Sequence, residues 1–199
     1  MPLQNRVQPD GSIIAHPARG VLMGNRGILH DDTQTLGHRR WRHKAWVTCV
    51  LSFKGRKRPL MAPNAYTELF FLDEAVAFAA GHRPCGECRR ADFNRFRAAA
   101  GVSGKISDYD HLLHASRAEP RTYRQIRYEA DIGSLPDGVF VADVAGRPQL
   151  IHEGALIGYQ NMSYGAPKRK PKTGRVLVLT PRLLVEAILE GYKVETAAG

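Results

Sequence analysis

Two closely spaced cysteines are the most chemically specific feature of this sequence. Cys85 and Cys88 enclose a Gly-Glu pair and stand between a proline and a run of helix-forming residues. This spacing allows two thiolates to bind one tetrahedral ion while backbone amides of the turn donate to the sulfurs. The same spacing also occurs in redox dithiols, and two inert thiols are a third alternative. The sequence favours a metal site and leaves the other two alternatives open.

A tetrahedral zinc site needs four ligands, so two further side chains must come from elsewhere in the chain. The third cysteine, Cys49, lies in an apolar run typical of a β-strand. We predict Cys49 as the third ligand, provided that its strand lies beside a strand at residues 66–72. The alternative is a core residue, which a lone cysteine on an apolar face usually is. Among the histidines, we predict His114 as the fourth ligand, ahead of His111 and His82.

Arginines surround the cysteine pair in the sequence. Arg83, Arg89 and Arg90 flank it, and a helix is expected to start at Cys88. Positive charge and a helix N-terminus both stabilise a thiolate, so we expect them to lower the pKa of Cys85 and Cys88. Zinc is the predicted cofactor.

Capping and breaking residues indicate the elements that position these thiols. A strand is predicted over 67–72, and Asp73 is a suitable N-cap for a helix over 74–80. Pro84 prevents that helix from continuing to the cysteines, and a second helix is predicted over 88–100. The cysteine pair is therefore expected to follow a loop and to open the second helix.

The stretch over 70–89 resembles the second half of the Ada-type zinc-binding domain. Its strand, alanine-rich helix and Gly81-His82-Arg83-Pro84-Cys85-Gly86-Glu87-Cys88-Arg89 are similar to that family's Gly-aromatic-Arg-Pro-Cys-x-x-Cys-Arg pattern. The resemblance covers about 20 of the 199 residues. It implies a zinc-binding βα unit that contacts DNA. In repair members of the family, one zinc-bound cysteine accepts a methyl group from a phosphotriester.

This chain departs from that family in its cysteine count. The family binds zinc through four cysteines, and its first pair lies upstream on a strand and the following turn. Here the sequence offers Cys49 alone. A four-cysteine site is therefore impossible within one chain, and Cys49 is the one residue that could replace the methyl acceptor. Outside this stretch the chain looks like a bacterial protein, which implies no activity.

A basic stretch before the cysteine pair favours a polyanionic partner. The net charge is +10, and residues 37–58 contain no acid while both tryptophans lie among their basic side chains. We predict a hairpin here, with a strand over 45–53, a turn at 54–57 and a return through 59–62. Basic groups that neutralise phosphates and rings that stack on bases are typical of single-stranded nucleic-acid binders. The predicted nucleic-acid-binding residues are Arg39, Arg40, Arg42, Lys44, Trp46, Lys54, Arg56, Lys57, Arg58, Arg83, Arg89 and Arg90.

The remainder of the chain changes from helical to β character. Ser107 is predicted to begin a helix in which Asp110 completes a capping box, and a short helix is predicted over 121–129. Alternation and turn residues then predict strands over 139–142, 149–152 and 175–179, a mobile basic loop over 164–172, and a last helix over 181–190.

The predicted fold class is α+β, with a small mixed sheet carrying the Ada-like zinc-binding βα unit and a β-rich C-terminal part. We divide the chain into a basic zinc-binding region (1–100), a helical connector (101–135) and a β-rich part ending in a helix (136–199). The sequence shows no apolar run long enough for a membrane helix and no signal peptide. We therefore expect a cytoplasmic protein without a membrane partner.

The expected function is that of a zinc-stabilised nucleic-acid-binding protein, with DNA favoured over RNA and with a role in repair or modification. One alternative is a metal-dependent enzyme acting on nucleic acid, such as a nuclease. It would place His30, Asp31, His111, His114 or His152 around an open metal position. A further alternative is a zinc-knuckle adaptor for another protein, whose basic residues form a solvated surface.

Overall fold

The computed structural model describes residues 1–56 and 59–198 and shows two six-stranded sheets and four α-helices. This confirms the predicted α+β class with a β-rich C-terminal part. The first sheet is mixed and has the strand order β2-β1-β5-β3-β4-β6. Its strands are β1 (Gln4–Val7), β2 (Ile13–Ala15), β3 (Leu22–Asn25), β4 (Val47–Val50), β5 (Leu69–Phe71) and β6 (Arg83–Pro84).

The second sheet is antiparallel and has the order β11-β10-β9-β8-β12-β7. Its strands are β7 (Tyr128–Asp131), β8 (Phe140–Ala142), β9 (Pro148–His152), β10 (Ala155–Gln160), β11 (Ser163–Arg169) and β12 (Arg175–Val178). The helices are α1 (Glu74–Ala79), α2 (Arg90–Ala99), α3 (Ile106–Arg117) and α4 (Arg182–Leu189). None of these helices is long and apolar enough to cross a membrane.

Helix α1 lies at the centre of the molecule. All six of its residues are buried, and it packs against β3 and β5 of the first sheet and β8 of the second. The hydrophobic cluster around it accordingly joins Leu69 and Phe71 to Phe140 and Leu150. Helices α2, α3 and α4 pack with the second sheet in another cluster. The three-part division of the chain stays a prediction, and the cluster around α1 contains side chains from its first and third parts.

Asp73 holds α1 in this position and confirms the predicted N-cap. Its Oδ1 accepts a hydrogen bond from the backbone N–H of Val76 at 2.9 Å. Its Oδ2 accepts from the Tyr164 hydroxyl at 2.7 Å, from the Thr196 hydroxyl at 3.2 Å and from the N–H of Ala197 at 2.9 Å. One buried carboxylate therefore connects α1 to the second sheet and to the C-terminal segment.

We expect Asp73→Ala to lower the free energy of unfolding by about 3 kcal/mol, because it removes a helix cap and leaves buried donors without an acceptor. Urea titration followed by circular dichroism would measure this. Asp32→Ala is the control, because Asp32 is exposed and should change stability by less than about 0.5 kcal/mol. Equal losses in both variants would contradict the role given to Asp73.

Glycine allows β3 to approach β5 closely. A Cβ on Gly24 would lie 2.4 Å from Cε2 of Phe71, and a Cβ on Gly20 would lie 2.1 Å from the Phe71 carbonyl oxygen. Both distances are shorter than a carbon–carbon or carbon–oxygen contact allows. Gly20 and Gly24 therefore serve the packing of the segment over 20–25 against Phe71.

The predicted basic hairpin is wrong. β4 pairs antiparallel with β3 and parallel with β6, so both of its edges are occupied and no edge remains for a returning strand. A turn does occur at Lys54-Gly55, but residues 59–62 form no strand. Lys57 and Arg58 lie outside the described residues.

Three further predictions are wrong for non-local reasons. Residues 121–129 form no helix; Arg121 and Tyr123 have positive φ angles, and β7 begins at Tyr128. The loop predicted over 164–172 is largely β11, an edge strand that tolerates Pro167. Asp110 caps nothing, because its carboxylate binds a buried arginine instead.

Candidate metal centre

Strand register brings Cys49 beside Cys85. β4 and β6 are parallel neighbours with Thr48 opposite Pro84, and the N–H of Cys85 donates to the Thr48 carbonyl at 2.9 Å. We expected the strand of Cys49 to lie beside the strand at residues 66–72. It does not, because β3 lies between β4 and β5. The two-residue strand β6 provides the contact that the longer strand was expected to provide.

The turn over 85–88 folds the second thiol back towards the first. The N–H of Arg89 donates to the carbonyl of Cys85 at 3.2 Å, and that of Glu87 donates to the Cys85 sulfur at 3.4 Å. α2 then begins at Arg90. Amide donation to a cysteine sulfur is the arrangement that steadies a metal-binding thiolate.

The three sulfur atoms of Cys49, Cys85 and Cys88 all lie within 4.8 Å of one another. Three thiolates on one tetrahedral zinc ion are about 3.8 Å apart, since each Zn–S bond is about 2.3 Å long. Small side-chain rotations would therefore close the group around an ion, and the donor set fits a soft or borderline metal. Within residues 1–56 and 59–198 this is the one group of three or more His, Cys, Asp or Glu side chains with such spacing. All three cysteines are half-buried.

The three thiols differ in pKa, because each lies in a different environment. The pKa of Cys85 falls to about 5, first because the Cys49 thiol donates a hydrogen bond to its sulfur and then through the amides of Cys88 and Glu87. The pKa of Cys49 is raised by the same hydrogen bond and by burial. Burial, and then the charge of Cys85, raises the pKa of Cys88. We expected the pKa of both Cys85 and Cys88 to be lowered, and this is wrong for Cys88. The lowered pKa of Cys85 results from a neighbouring thiol and backbone amides and not from the flanking arginines.

The predicted fourth ligand lies elsewhere. The His114 ring packs edge-on against Trp41 and Trp46, with ring centroids 5.1 and 5.5 Å apart, and is not part of the thiol group. Its pKa falls to about 4 through burial and then the charge of Arg117. His82 is fully buried, and its Nε2 accepts from Arg26 at 3.2 Å. The three thiols therefore leave one position of a tetrahedral ion to a ligand from outside the group.

The residues predicted for the alternative, a metal-dependent active site, do not form one cluster either. His30 Nδ1 lies 2.6 Å from the Thr67 hydroxyl and Asp31 caps an exposed turn. His152 ends β9 of the second sheet, and His111 is exposed on α3. None of them joins the thiol group.

Two flanking arginines are internal and do not present their charges to solvent. Arg83 forms a bidentate pair with Asp110, with distances of 2.7 and 2.6 Å. Arg89 binds Glu74 at 2.7 Å and the Thr48 hydroxyl at 2.9 Å. Both guanidiniums are about 95% buried, so their predicted role as phosphate contacts is wrong. They connect β4, β6, α1 and α3 behind the thiols instead.

The other predicted nucleic-acid contacts divide by exposure. Trp46 is buried, and Arg40 is half-buried. The exposed basic side chains lie at the two ends of β4 and at the start of α2: Arg39, Arg42, Lys44, Lys54, Arg56 and Arg90. We call these six residues the basic surface.

Sequence reasoning missed two buried arginines. The guanidinium carbons of Arg26 and Arg117 lie 4.1 and 4.0 Å from the ring centre of Trp46. Arg26 stands in a glycine-punctuated stretch and Arg117 in the last turn of a polar helix, positions that usually face solvent. No local signal distinguishes them.

Comparison of the chain with models of known protein families, with curated proteins and with solved structures finds no match.

Proposed function

We propose that this chain is a zinc-binding protein that binds nucleic acid, DNA in preference to RNA, through the basic surface. The observation that carries the proposal is the group formed by Cys49, Cys85 and Cys88, whose sulfurs lie within 4.8 Å of one another. Zinc suits this group because it accepts several thiolates in a tetrahedral site and needs no redox partner. Its structural effect would be to fasten β4 to the turn before α2.

The nucleic-acid part of the proposal rests on charge. The net charge is +10, and Lys54 and Arg90 are exposed close to the thiols in sequence, one after β4 and the other after Cys88. Arg39, Arg42 and Lys44 precede the same strand. Cations distributed in this way neutralise successive phosphates and release counterions, which makes binding depend strongly on salt. The Ada-type resemblance supports DNA as the polymer.

We expect Lys54→Gln/Arg90→Gln to weaken binding to single-stranded and duplex DNA and to reduce the slope of log K against log salt by about 2. Fluorescence anisotropy of labelled oligonucleotides between about 50 and 200 mM salt would measure this. Lys168→Gln/Arg169→Gln removes the same charge from exposed positions on β11 and is the matched control. An equal effect of both double variants would mean that DNA is attracted by the net charge of the protein and not by the basic surface. Absent or salt-independent DNA binding would contradict the proposal.

A second candidate is catalysis by the metal on nucleic acid. The observation that favours it is the incomplete ligand set, because catalytic zinc sites combine three protein ligands with one open position. The three cysteine residues are half-buried, so the group is not fully enclosed by protein. Incubation of zinc-loaded protein with labelled DNA and RNA tests this candidate. Metal-dependent cleavage that disappears in Cys85→Ser would establish the enzyme, whereas intact substrates would leave binding as the activity.

A further inference from the structure

A cavity of about 480 Å³ lies apart from the thiols, between the end of α3, the start of β4 and the segment over 118–127. None of the three cysteines lines it. Both tryptophans of the sequence do, together with Tyr123 and the side chains of Arg26, Arg40 and Arg117. Aromatic and cationic groups therefore meet in one concave site.

Two of these arginines carry buried charge without a carboxylate. Arg26 and Arg117 are 2% and 1% exposed. Among the described residues neither forms an ion pair: the charge of Asp110 raises the pKa of Arg117, but the Asp110 carboxylate is bound by Arg83, and that of Glu74 by Arg89. A buried charge that lacks a counterion is costly, and proteins usually pair it.

Backbone carbonyls after α1 account for part of this arrangement. Arg26 donates to the Ala80 carbonyl at 3.1 Å, and Arg117 donates to the carbonyls of Gly81 and Lys44 at 2.5 Å each. The bonds to Ala80 and Gly81 satisfy the end of α1, and none of the three carbonyls supplies a full negative charge. The Nε of Arg117 is buried and has no acceptor among the described residues.

The two guanidiniums also repel each other, and Arg40 repels the guanidinium of Arg26. Burial, and then the charge of Arg40, lowers the pKa of Arg26 to about 9. Burial, and then the charge of Arg26, lowers the pKa of Arg117 well below its ordinary value. An anion in the cavity would relieve this repulsion.

We propose that this cavity binds the phosphate group of a nucleotide, with Arg26, Arg40 and Arg117 supplying the positive charge and Trp41 and Tyr123 forming a wall for the base. A phosphate oxyanion would neutralise the uncompensated charge of the buried arginines. The rings of Trp41 and Tyr123, which contact each other edge-on, provide an aromatic surface for a flat heterocycle. The inference rests on the proposed function only for its choice of a nucleotide, which is either free or the phosphorylated end of a strand.

Two acids on the cavity wall restrict the ligand further. Asp10 and Glu119 line the same space as Arg124 and Arg127, so the rest of the wall carries charges of both signs and is not uniformly basic. A single nucleotide places one phosphate near the arginines and leaves its hydroxyl and amino groups to donate to carboxylates. The cavity therefore fits one terminal nucleotide better than the interior of a strand.

Tryptophan fluorescence tests the inference directly, because Trp41 and Trp46 are the two tryptophans of the chain and both line the cavity. Deoxyadenosine monophosphate should change the emission saturably, inorganic phosphate should compete, and deoxyadenosine should bind at least about 10-fold more weakly. Equal binding of nucleotide and nucleoside, or no change with either, would overturn the proposal. A 5′-phosphorylated oligonucleotide that binds no better than its 5′-hydroxyl counterpart would assign the site to free nucleotides.

Arg40→Ala should weaken nucleotide binding about 10-fold, because it removes one charged donor from a half-buried position. Arg19→Ala is the matched control, since Arg19 is exposed, lies outside the cavity wall and does not belong to the basic surface; its effect should stay within about two-fold. Unchanged binding in Arg40→Ala, with an unchanged melting temperature, would overturn the assignment. If the protein binds the nucleotide but neither DNA nor RNA, the cavity proposal is supported and the proposed function is contradicted. If it binds DNA or RNA but not the nucleotide, the proposed function is supported and the cavity proposal is contradicted.

Discussion

Cys85→Ser is expected to abolish stoichiometric zinc binding. Cys85 is central to the thiol group because its sulfur accepts from the Cys49 thiol and from two backbone amides. Structural zinc binding corresponds to about 10–16 kcal/mol at neutral pH, and losing one of three thiolates removes a large share of it. Metal quantification on purified protein should fall from about one zinc per chain to a small fraction.

Stability should follow the metal. A ligand present at about 1,000 times its dissociation constant stabilises a protein by about 4 kcal/mol, so a chelator should lower the melting temperature of the wild type markedly. Cys85→Ser should melt at the same temperature with and without the chelator. Cobalt titration adds a spectroscopic measure, because thiolate–cobalt charge-transfer bands appear only when sulfur binds the ion.

Glu87→Gln is the matched control, because it changes the residue between the two cysteines and keeps all three thiols. Glu87 is exposed, and among the described residues it pairs with Arg56 alone, at 2.9 Å, so zinc content should be unchanged. A lowered zinc content in this variant would instead identify Glu87 as the fourth ligand. Zinc retained in Cys85→Ser would contradict the metal centre, and zinc retained in Cys49→Ser would remove Cys49 from it.

Local signals were sufficient for the elements around the turn. Asp73 before an alanine-rich run predicts a capped helix because a short carboxylate satisfies free amides, and α1 begins accordingly. Pro84 predicts a break before the thiols, and α2 follows them. The spacing of Cys85 and Cys88 is itself a local property, so the pair was identified correctly as a close group.

Contacts between distant segments were beyond such signals. Cys49 meets Cys85 through β6, which contains two residues and has no recognisable periodicity. A basic side chain looks the same in a sequence whether it faces solvent or a buried carboxylate. Arg83 and Arg89 were therefore assigned to the surface, and Arg26 and Arg117 were not recognised as part of a site.

The pair of Arg83 and Asp110 carries the second large expected effect. Asp110→Ala should lower the free energy of unfolding by about 3–5 kcal/mol, because it leaves the Arg83 guanidinium buried without a counterion. Arg83 and Arg26 already depress the pKa of Arg117, whereas Asp110 raises it, so the variant would leave three unpaired cations in one interior. Since small domains are stable by about 5–15 kcal/mol, this loss is a large part of the total.

Urea unfolding of Asp110→Ala, compared with Asp108→Ala, measures this effect. Asp108 lies two residues earlier on the same helix but is exposed, so its variant should lose less than about 0.5 kcal/mol. Arg83→Met/Asp110→Leu should recover most of the lost stability, because replacing both partners of a buried pair by apolar groups leaves no unpaired charge. If Asp110→Ala were as stable as Asp108→Ala, the buried pair would not hold β6 against α3. The position of Cys85 would then depend on the metal and on the contact of β6 with β4.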